Sequence, residues 1–226
     1  SIPQIAAIVE SEHLFPLLRG RNVGAFSAQP DPTYRILLPQ RGMHGDPELA
    51  VTAPHTYRFL GQFRSELEQR SSYKRFQKGR PYWSLWSTGS YTFSPYKVVW
   101  REMLGQQFAA AYVGPYSDPF LGERIVVPDH KLYFVALDGE DEAAYLAGLL
   151  NAPIVARAIT AYAAQLSLGV SVVEYLNVPG FDPTNEHQQR MARLARDITV
   201  RNTPATAHEQ GEMDHLAMLL FGLRSA

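Results

Sequence analysis

Cysteine is absent from the 226 residues, and no apolar run approaches the roughly 20 residues that a membrane-spanning helix needs. A chain without cysteine has no disulfide framework, no thiolate metal site and no cysteine nucleophile, and it suits a reducing compartment. The first residues also lack the basic and apolar regions of a signal peptide. We therefore expect a cytoplasmic protein without a membrane partner.

Disorder is excluded as well, because hydrophobic residues make up 46% of the chain and charged residues 19%. This length is enough for one large domain or two small lobes around a substantial core. The sequence begins at Ser1 rather than at methionine, so we expect it to be a fragment of a longer polypeptide.

Catalytic motifs are also missing. Residues 19–24, RGRNVG, lack the glycine spacing and the lysine of a phosphate-binding loop, and no Gly-x-Ser-x-Gly sequence occurs. His208, Glu212 and His215 have a spacing that metal ligands use on a helix, but the polar face of an amphipathic helix explains them better. The sequence thus predicts no catalytic residues and no metal site, and a complete enzyme is the weakest interpretation.

Charge is divided unevenly along the chain. Residues 1–101 contain 13 Lys or Arg and 7 Asp or Glu, whereas residues 102–226 contain 8 and 15. The window 57–101 alone contains nine basic, two acidic and 12 aromatic residues. Cations that neutralise phosphates, mixed with rings that stack on bases, favour nucleic-acid binding. The alternative is that the rings form the core and the cations are their solvated neighbours.

The residue patterns predict a mixture of strands and helices. Short β-rich segments indicate strands at residues 34–38, 97–101, 110–113, 124–127 and 132–136. Apolar residues at helical spacing indicate helices over residues 56–70, 140–150, 153–166, 191–198 and 208–223, while the Gly- and Val-rich residues 167–179 suggest an extended segment. We predict an α/β (α+β) fold with a mixed β-sheet lobe over residues 1–138 and a helical portion over residues 139–226.

Seven phrases, in order, resemble the C-terminal target-recognition (specificity) domain of Taq-type adenine-N6 DNA methyltransferases and fused type II restriction-modification enzymes. LFPLLRGRNV at residues 14–23 is similar to the opening "L-L-x-G-x-D-V/I" of that region, and YLAGLLNAPI at residues 145–154 to its "y-L-l-a-l-L-N-S" phrase. The other five phrases are at residues 34–39, 54–73, 81–86, 95–102 and 178–181. Asn22 and Ala152 depart from the family pattern, which has Asp and Ser there, and Gly180-Phe181 stands in place of the pattern's second proline.

The resemblance implies sequence-specific recognition of double-stranded DNA. It also implies that S-adenosylmethionine and methyl transfer belong to a methyltransferase domain of the same polypeptide, upstream of this chain, so that no cofactor is expected here. Residues 1–138 would then form the DNA-recognition lobe and residues 139–226 a scaffold or interdomain portion. A recognition domain contacts phosphates for register and base edges for specificity.

We expect the DNA contacts to come from basic side chains, with two aromatic ones in support. The first choices are Arg19, Arg21, Lys74, Arg75, Lys78 and Arg80, and the second choices are Tyr82, Trp83, Lys97, Arg101, His130 and Lys131. Structural roles compete with these assignments. Trp83 and Trp100 are expected to be packed, Arg19 and Arg21 could form a strand-end turn around Gly20, and Arg70 could pair with Glu66.

Two further functions remain open at the level of the sequence. The same cations and rings would suit an RNA or single-strand binder. The oppositely charged halves would suit a protein-interaction module in which they contact a partner or a second copy.

Overall fold

The computed structural model describes residues 5–103, 107–163 and 169–223. Helices and small sheets both occur, so the predicted mixed α/β fold is confirmed. Ten strands lie in these ranges: β1 Leu14–Leu18, β2 Val23–Gly24, β3 Ser27–Ala28, β4 Arg35–Leu37, β5 Tyr96–Arg101, β6 Ala110–Val113, β7 Tyr116–Asp118, β8 Gly122–Arg124, β9 Val127–Pro128 and β10 Leu132–Leu137.

Eight α-helices lie in the same ranges: α1 Leu49–Thr52, α2 Pro54–Gly61, α3 Arg64–Gln69, α4 Glu140–Asn151, α5 Pro153–Ala163, α6 Ser171–Tyr175, α7 Glu186–Arg201 and α8 Ala207–Leu220. Short 3-10 turns occur at Ser11–His13, Gly20–Asn22 and Ser90–Phe93, and one π-helical turn at Tyr73–Gln77. The four longest helices in the described chain, α4, α5, α7 and α8, all come after residue 138.

The strands form two three-stranded sheets and two small hairpins. In the first sheet, β1 lies between an antiparallel β4 and a parallel β9. In the second, β5 lies between β10 and β6, with both pairings antiparallel. The hairpins are β2–β3 and β7–β8.

The central strand β5 joins two layers of the core. Val98 and Trp100 pack with the C-terminal helices, whereas Val99 packs with Leu18 and Val126 on the other side of the sheet. Successive side chains of a strand point to opposite faces, so the apolar run in β5 is buried on both. The helical portion and the second sheet therefore share one hydrophobic core.

Helix α4 occupies the centre of that core. Its residues from Ala143 to Asn151 are buried, and it packs against α7 and against strands β5 and β6. Asn185 accepts hydrogen bonds from the first backbone N–H groups of α7, and Thr206 and Glu209 form a capping box at the start of α8. These caps satisfy donors that a helix N-terminus leaves free.

Several predicted elements are confirmed and several are wrong. The strands at residues 97–101, 110–113 and 132–136 and the helix at residues 140–150 are present. The helix predicted over residues 56–70 is broken after Gly61 into α2 and α3, and glycine is a poor helix former. The segment predicted as extended, residues 167–179, contains helix α6. Its first two residues, 167–168, and residues 164–166 of the predicted helix 153–166 lie outside the described residues.

The predicted strand at residues 124–127 is also wrong. Arg124 ends β8 and Val127 begins β9, and these strands belong to different sheets. Val127 pairs with Leu17 of β1. Long-range pairing therefore divides residues 124–127, whose sequence predicts a single strand.

In the described ranges, no single helix is long and apolar enough to cross a membrane. Helices α4 and α5 meet the length and composition criteria only as a pair, and that pair is bent by 69°.

Candidate nucleic-acid interface

The most basic surface segment is the loop of residues 70–86, which we call the basic loop. It lies in a stretch with no acidic residue between Glu68 and Glu102. Four of its cations, Lys74, Arg75, Lys78 and Arg80, are exposed. In the part of the chain that the structure describes, no carboxylate lies within salt-bridge distance of these four side chains. Their charge is therefore available to an external anion.

Arg70 holds the two ends of the basic loop together. Its guanidinium donates to the backbone carbonyls of Tyr82 and Ser84, at 2.7 and 3.1 Å, and to that of Leu67 at 2.9 Å. The pairing of Arg70 with Glu66 that the helical spacing suggested is therefore replaced by carbonyl contacts. Burial lowers the pKa of Arg70 below its ordinary value, and its role is structural.

Two buried glutamines attach the loop to the body of the protein. Gln77 donates to the Met43 carbonyl at 2.9 Å, and its amide oxygen lies 2.7 Å from Nδ1 of His44. Gln40 accepts from the Leu85 backbone N–H at 2.7 Å and donates to the Leu85 carbonyl at 3.2 Å. The loop is thus fixed at positions next to its exposed cations.

The turn between Lys78 and Arg80 depends on glycine. Gly79 has a φ of +84°, which side chains with a Cβ rarely adopt. The Tyr73 hydroxyl donates to the Arg80 carbonyl at 2.7 Å across this turn. The spacing of the cations on the loop is set by this backbone geometry.

An aromatic stack lies on the surface of the basic loop. The rings of Phe76 and Trp86 are 4.2 Å apart between centroids and 15° from parallel. The guanidinium of Arg75 lies 5.1 Å from the Phe76 centroid, and Phe76 and Trp86 are each 43% exposed. The sequence analysis did not include Phe76 or Trp86 among the candidate DNA contacts. Both lie in the lysine-bearing stretch without acidic residues, and that position was a signal for them.

Tyr82 and Trp83 belong to the core, in contrast to the surface role considered for them. Each is only 7% exposed, and Trp83 packs edge-on against Tyr57 and Tyr82. A Cβ at Gly45 would lie 2.4 Å from the Trp83 ring, so only glycine fits there. The prediction that Trp83 and Trp100 are packed is confirmed. These positions offer no surface for contact with DNA.

Lys97 is buried as well, with only 1% of the residue exposed. Its Nζ donates to the Ser94 carbonyl at 2.6 Å. Burial lowers the pKa of Lys97 to about 8, because the charged ammonium loses its hydration. Its proposed contact with DNA is not compatible with this position, and we remove it from the candidate interface.

Five other candidates lie where strands β1, β5 and β9 end, in what we call the strand-end cluster: Arg19, Arg21, Arg101, His130 and Lys131. The parallel pairing of Leu18 with Pro128 places the segments that follow β1 and β9 side by side. A Cβ on Gly20 would lie 3.7 Å from that of Lys131. Pairing between distant strands therefore assembles a group that is scattered in the sequence.

Neighbouring groups reduce the free charge of this cluster. Arg21 pairs with the buried carboxylate of Asp31, Lys131 with Glu102 at 3.3 Å, and Arg101 donates to the Val23 carbonyl. The Arg19 guanidinium lies 5.3 Å from the centroid of the Tyr34 ring. Arg19 is the N-cap of the 3-10 turn after β1, and Arg21 lies within that turn, so the strand-end turn considered for them is present. The basic loop is the more strongly cationic of the two surfaces.

Cations of the acidic half are more often paired. Arg190 binds Glu212 at 2.6 Å, Arg201 binds Glu209 at 2.9 Å, and Arg196 pairs with Asp141. The pairing of Glu212 with Arg190 also accounts for one member of the His208, Glu212 and His215 trio. Among the residues that the structure describes, no group of three or more His, Asp or Glu side chains could hold a metal ion.

The chain is similar to a distant relative among known proteins. No family model matches the chain. Over 148 residues, 65% of this chain, it is 26% identical to the type II methyltransferase M.NspV of Nostoc sp.. The chain spans 29% of the length of that protein.

The relative is a type II methyltransferase, and the similarity to it is distant. It covers part of the chain and less than a third of the relative. The assignment of a function to particular residues therefore rests on the geometry of the basic loop and the strand-end cluster.

Proposed function

We propose that this chain is the target-recognition domain of an adenine-N6 DNA methyltransferase or fused restriction-modification enzyme, and that it binds double-stranded DNA. The observation that carries the proposal is the basic loop, where four exposed cations lie in an acid-free stretch and none has a carboxylate partner among the described residues. The distant similarity to a type II methyltransferase supports the same assignment.

Free cations are the physical requirement for such binding. A lysine or arginine that contacts a phosphate releases a condensed counterion, which favours binding and makes it salt-dependent. A side chain already paired with a carboxylate gains less from this exchange. Lys74, Arg75, Lys78 and Arg80 are therefore the proposed phosphate contacts. The strand-end cluster of Arg19, Arg21, Arg101, His130 and Lys131 is a second contact region.

The two portions of the chain take different roles in this proposal. Residues 1–138 contact DNA, and residues 139–226 form a scaffold that faces the methyltransferase domain of the same polypeptide in the cytoplasm. S-adenosylmethionine and methyl transfer are assigned to that other domain. The present sequence has no glycine-rich loop after a strand that would suit the cofactor, and we assign no residue to it.

A second candidate function is the binding of single-stranded nucleic acid. The observation that favours it is the exposed stack of Phe76 on Trp86, since aromatic rings in a cationic groove bind unpaired bases without sequence preference. Competition between duplex and single-stranded DNA of the same length separates the two functions. A protein-interaction module would show neither form of binding.

Two matched double variants test the proposal. K74Q/K78Q removes two charges from the basic loop, and R157Q/R193Q removes two from exposed positions of the acidic half. Loss of two phosphate contacts makes the negative slope of log K against log salt shallower by about 2. We expect this for K74Q/K78Q and wild-type binding for the control. Equal behaviour of both variants would place the interface elsewhere.

A further inference from the structure

The stack of Phe76 on Trp86 offers a surface that phosphate binding does not explain. The chain has three tryptophans. Trp100 is fully buried and Trp83 is 7% exposed, whereas Trp86 is 43% exposed. One face of the Trp86 indole is covered by Phe76, so the exposed part of the side chain lies away from that ring.

Both rings are attached next to fixed points of the backbone. Phe76 directly precedes the buried Gln77, whose amide is hydrogen-bonded to Met43 and His44. Trp86 directly follows Leu85, whose backbone N–H and carbonyl both bond to Gln40. The two exposed rings are therefore held in position before any ligand arrives, which lowers the entropic cost of binding.

The surroundings of the stack narrow the chemistry of its ligand. Arg75 lies over Phe76, and Lys74 and Lys78 are exposed within two residues of it. This aromatic surface is surrounded by cations, and no acidic residue lies in the same stretch. It therefore suits a planar aromatic ligand that carries negative charge close to its ring. A nucleobase with its own phosphates has both properties.

We propose that the stack of Arg75, Phe76 and Trp86 receives an unpaired base of DNA on the exposed side of Trp86. The inference rests on the proposed function and extends it, because the same loop would then contact phosphates with its cations and a displaced base with its indole. A fully paired duplex offers the loop its phosphates alone.

The test uses the intrinsic fluorescence of the chain, since Trp86 is the exposed tryptophan. Three probes are compared: a paired duplex, the same duplex with one bulged adenine, and its single strand. We expect the bulged duplex to quench Trp86 emission and to bind about 5- to 150-fold more tightly than the paired one, which is the range measured for one stacked base.

Variants assign the effect to the stack. W86L and F76L should lose the preference for the bulged duplex over the paired one. Y175L, which removes an exposed ring of the acidic half, should keep that preference. Circular dichroism spectra and Tm values establish that each variant is folded.

The outcomes separate this inference from the proposed function. Salt-dependent duplex binding without preference for the bulge, or a preference that survives in W86L, overturns the stacking site alone. Failure of the wild type to bind all three probes overturns both proposals. Quenching by the single strand with no binding of either duplex overturns the duplex function and favours the single-strand alternative.

Discussion

Arg35 and Asp118 form a buried ion pair that joins β4 to the β7–β8 hairpin. Nε and Nη2 of Arg35 both reach Oδ2 of Asp118, at 2.9 and 2.7 Å, and the two side chains are 16% and 2% exposed. The other carboxylate oxygen accepts from the backbone N–H groups of Phe120 and Leu121. One carboxylate thus fixes the tip of the hairpin and attaches it to the first sheet.

Removing one partner of this pair should be costly. D118A leaves the Arg35 guanidinium largely buried without its partner, and such changes cost about 3–5 kcal/mol of unfolding free energy. R35M/D118A removes both charges and should be less destabilised than D118A. Denaturant unfolding of the wild type and both variants measures this. A D118A loss below about 1 kcal/mol would contradict the role given to the pair.

Lys97 should make stability increase with pH in the alkaline range. Its folded pKa of about 8 is below the ordinary 10.5, so between these values the unfolded chain binds more protons and unfolding becomes less favourable as pH rises. The shift corresponds to about 3 kcal/mol. K97M should be more stable than the wild type below pH 8, and its advantage should disappear toward pH 10.5. Chemical denaturation at several pH values tests this, and a pH-independent difference would argue against it.

Glu10 should stabilise helix α2 at neutral pH and not in acid. Burial raises its pKa, but hydrogen bonds from the Thr56 side chain and from the backbone N–H groups of His55 and Thr56 outweigh this effect and lower the pKa to about 2. The stabilisation is therefore present above about pH 4.5 and is lost as pH falls toward 2.

The matching variant is E10Q, which keeps the shape of the side chain and removes its charge. A carboxylate that caps a helix N-terminus contributes about 1–2 kcal/mol. E10Q should be less stable than the wild type by this amount at pH 6, and the gap should narrow at pH 3. An equal gap at both pH values would show that the charge of Glu10 is not the cause.

The basic loop should lose its fixed conformation when Gln77 is replaced. Q77L removes the hydrogen bonds to Met43 and His44 and leaves their polar atoms unsatisfied, which costs about 1–3 kcal/mol each. Trypsin should then cleave after Lys74, Arg75 or Lys78 faster than in the wild type. Y73F, which removes the outer bond to Arg80, is the matched control and should be cleaved at an intermediate rate. Wild-type cleavage of Q77L would mean that other contacts hold the loop.

Much of the fold follows from local patterns. Helix α4 and strands β5 and β10 were predicted because their apolar residues recur with a clear period. The division of residues 124–127 between β8 and β9 was not, because it depends on the pairing of Val127 with Leu17 more than 100 residues away. Tertiary pairing of this kind leaves no local signal.

The candidate site, too, could be predicted from the sequence only where the signal is local. The sequence shows the cations of the basic loop as an excess of positive charge. It does not show that Lys97 is buried, because a lysine at the start of a strand is normally expected at the surface. The Phe76 and Trp86 rings meet across ten residues of non-periodic loop, held by Gln40 and Gln77. Side chains far apart in the sequence produce that contact, so local patterns did not predict it.

The central claim is that this chain binds duplex DNA through cations that are free in the protein. The most direct test titrates the purified chain with a pool of random-sequence duplexes at about 50 and 200 mM salt. We expect binding that weakens steeply between the two conditions and that is reduced in K74Q/K78Q. Binding that is absent at low salt, or that is insensitive to salt, would contradict the claim.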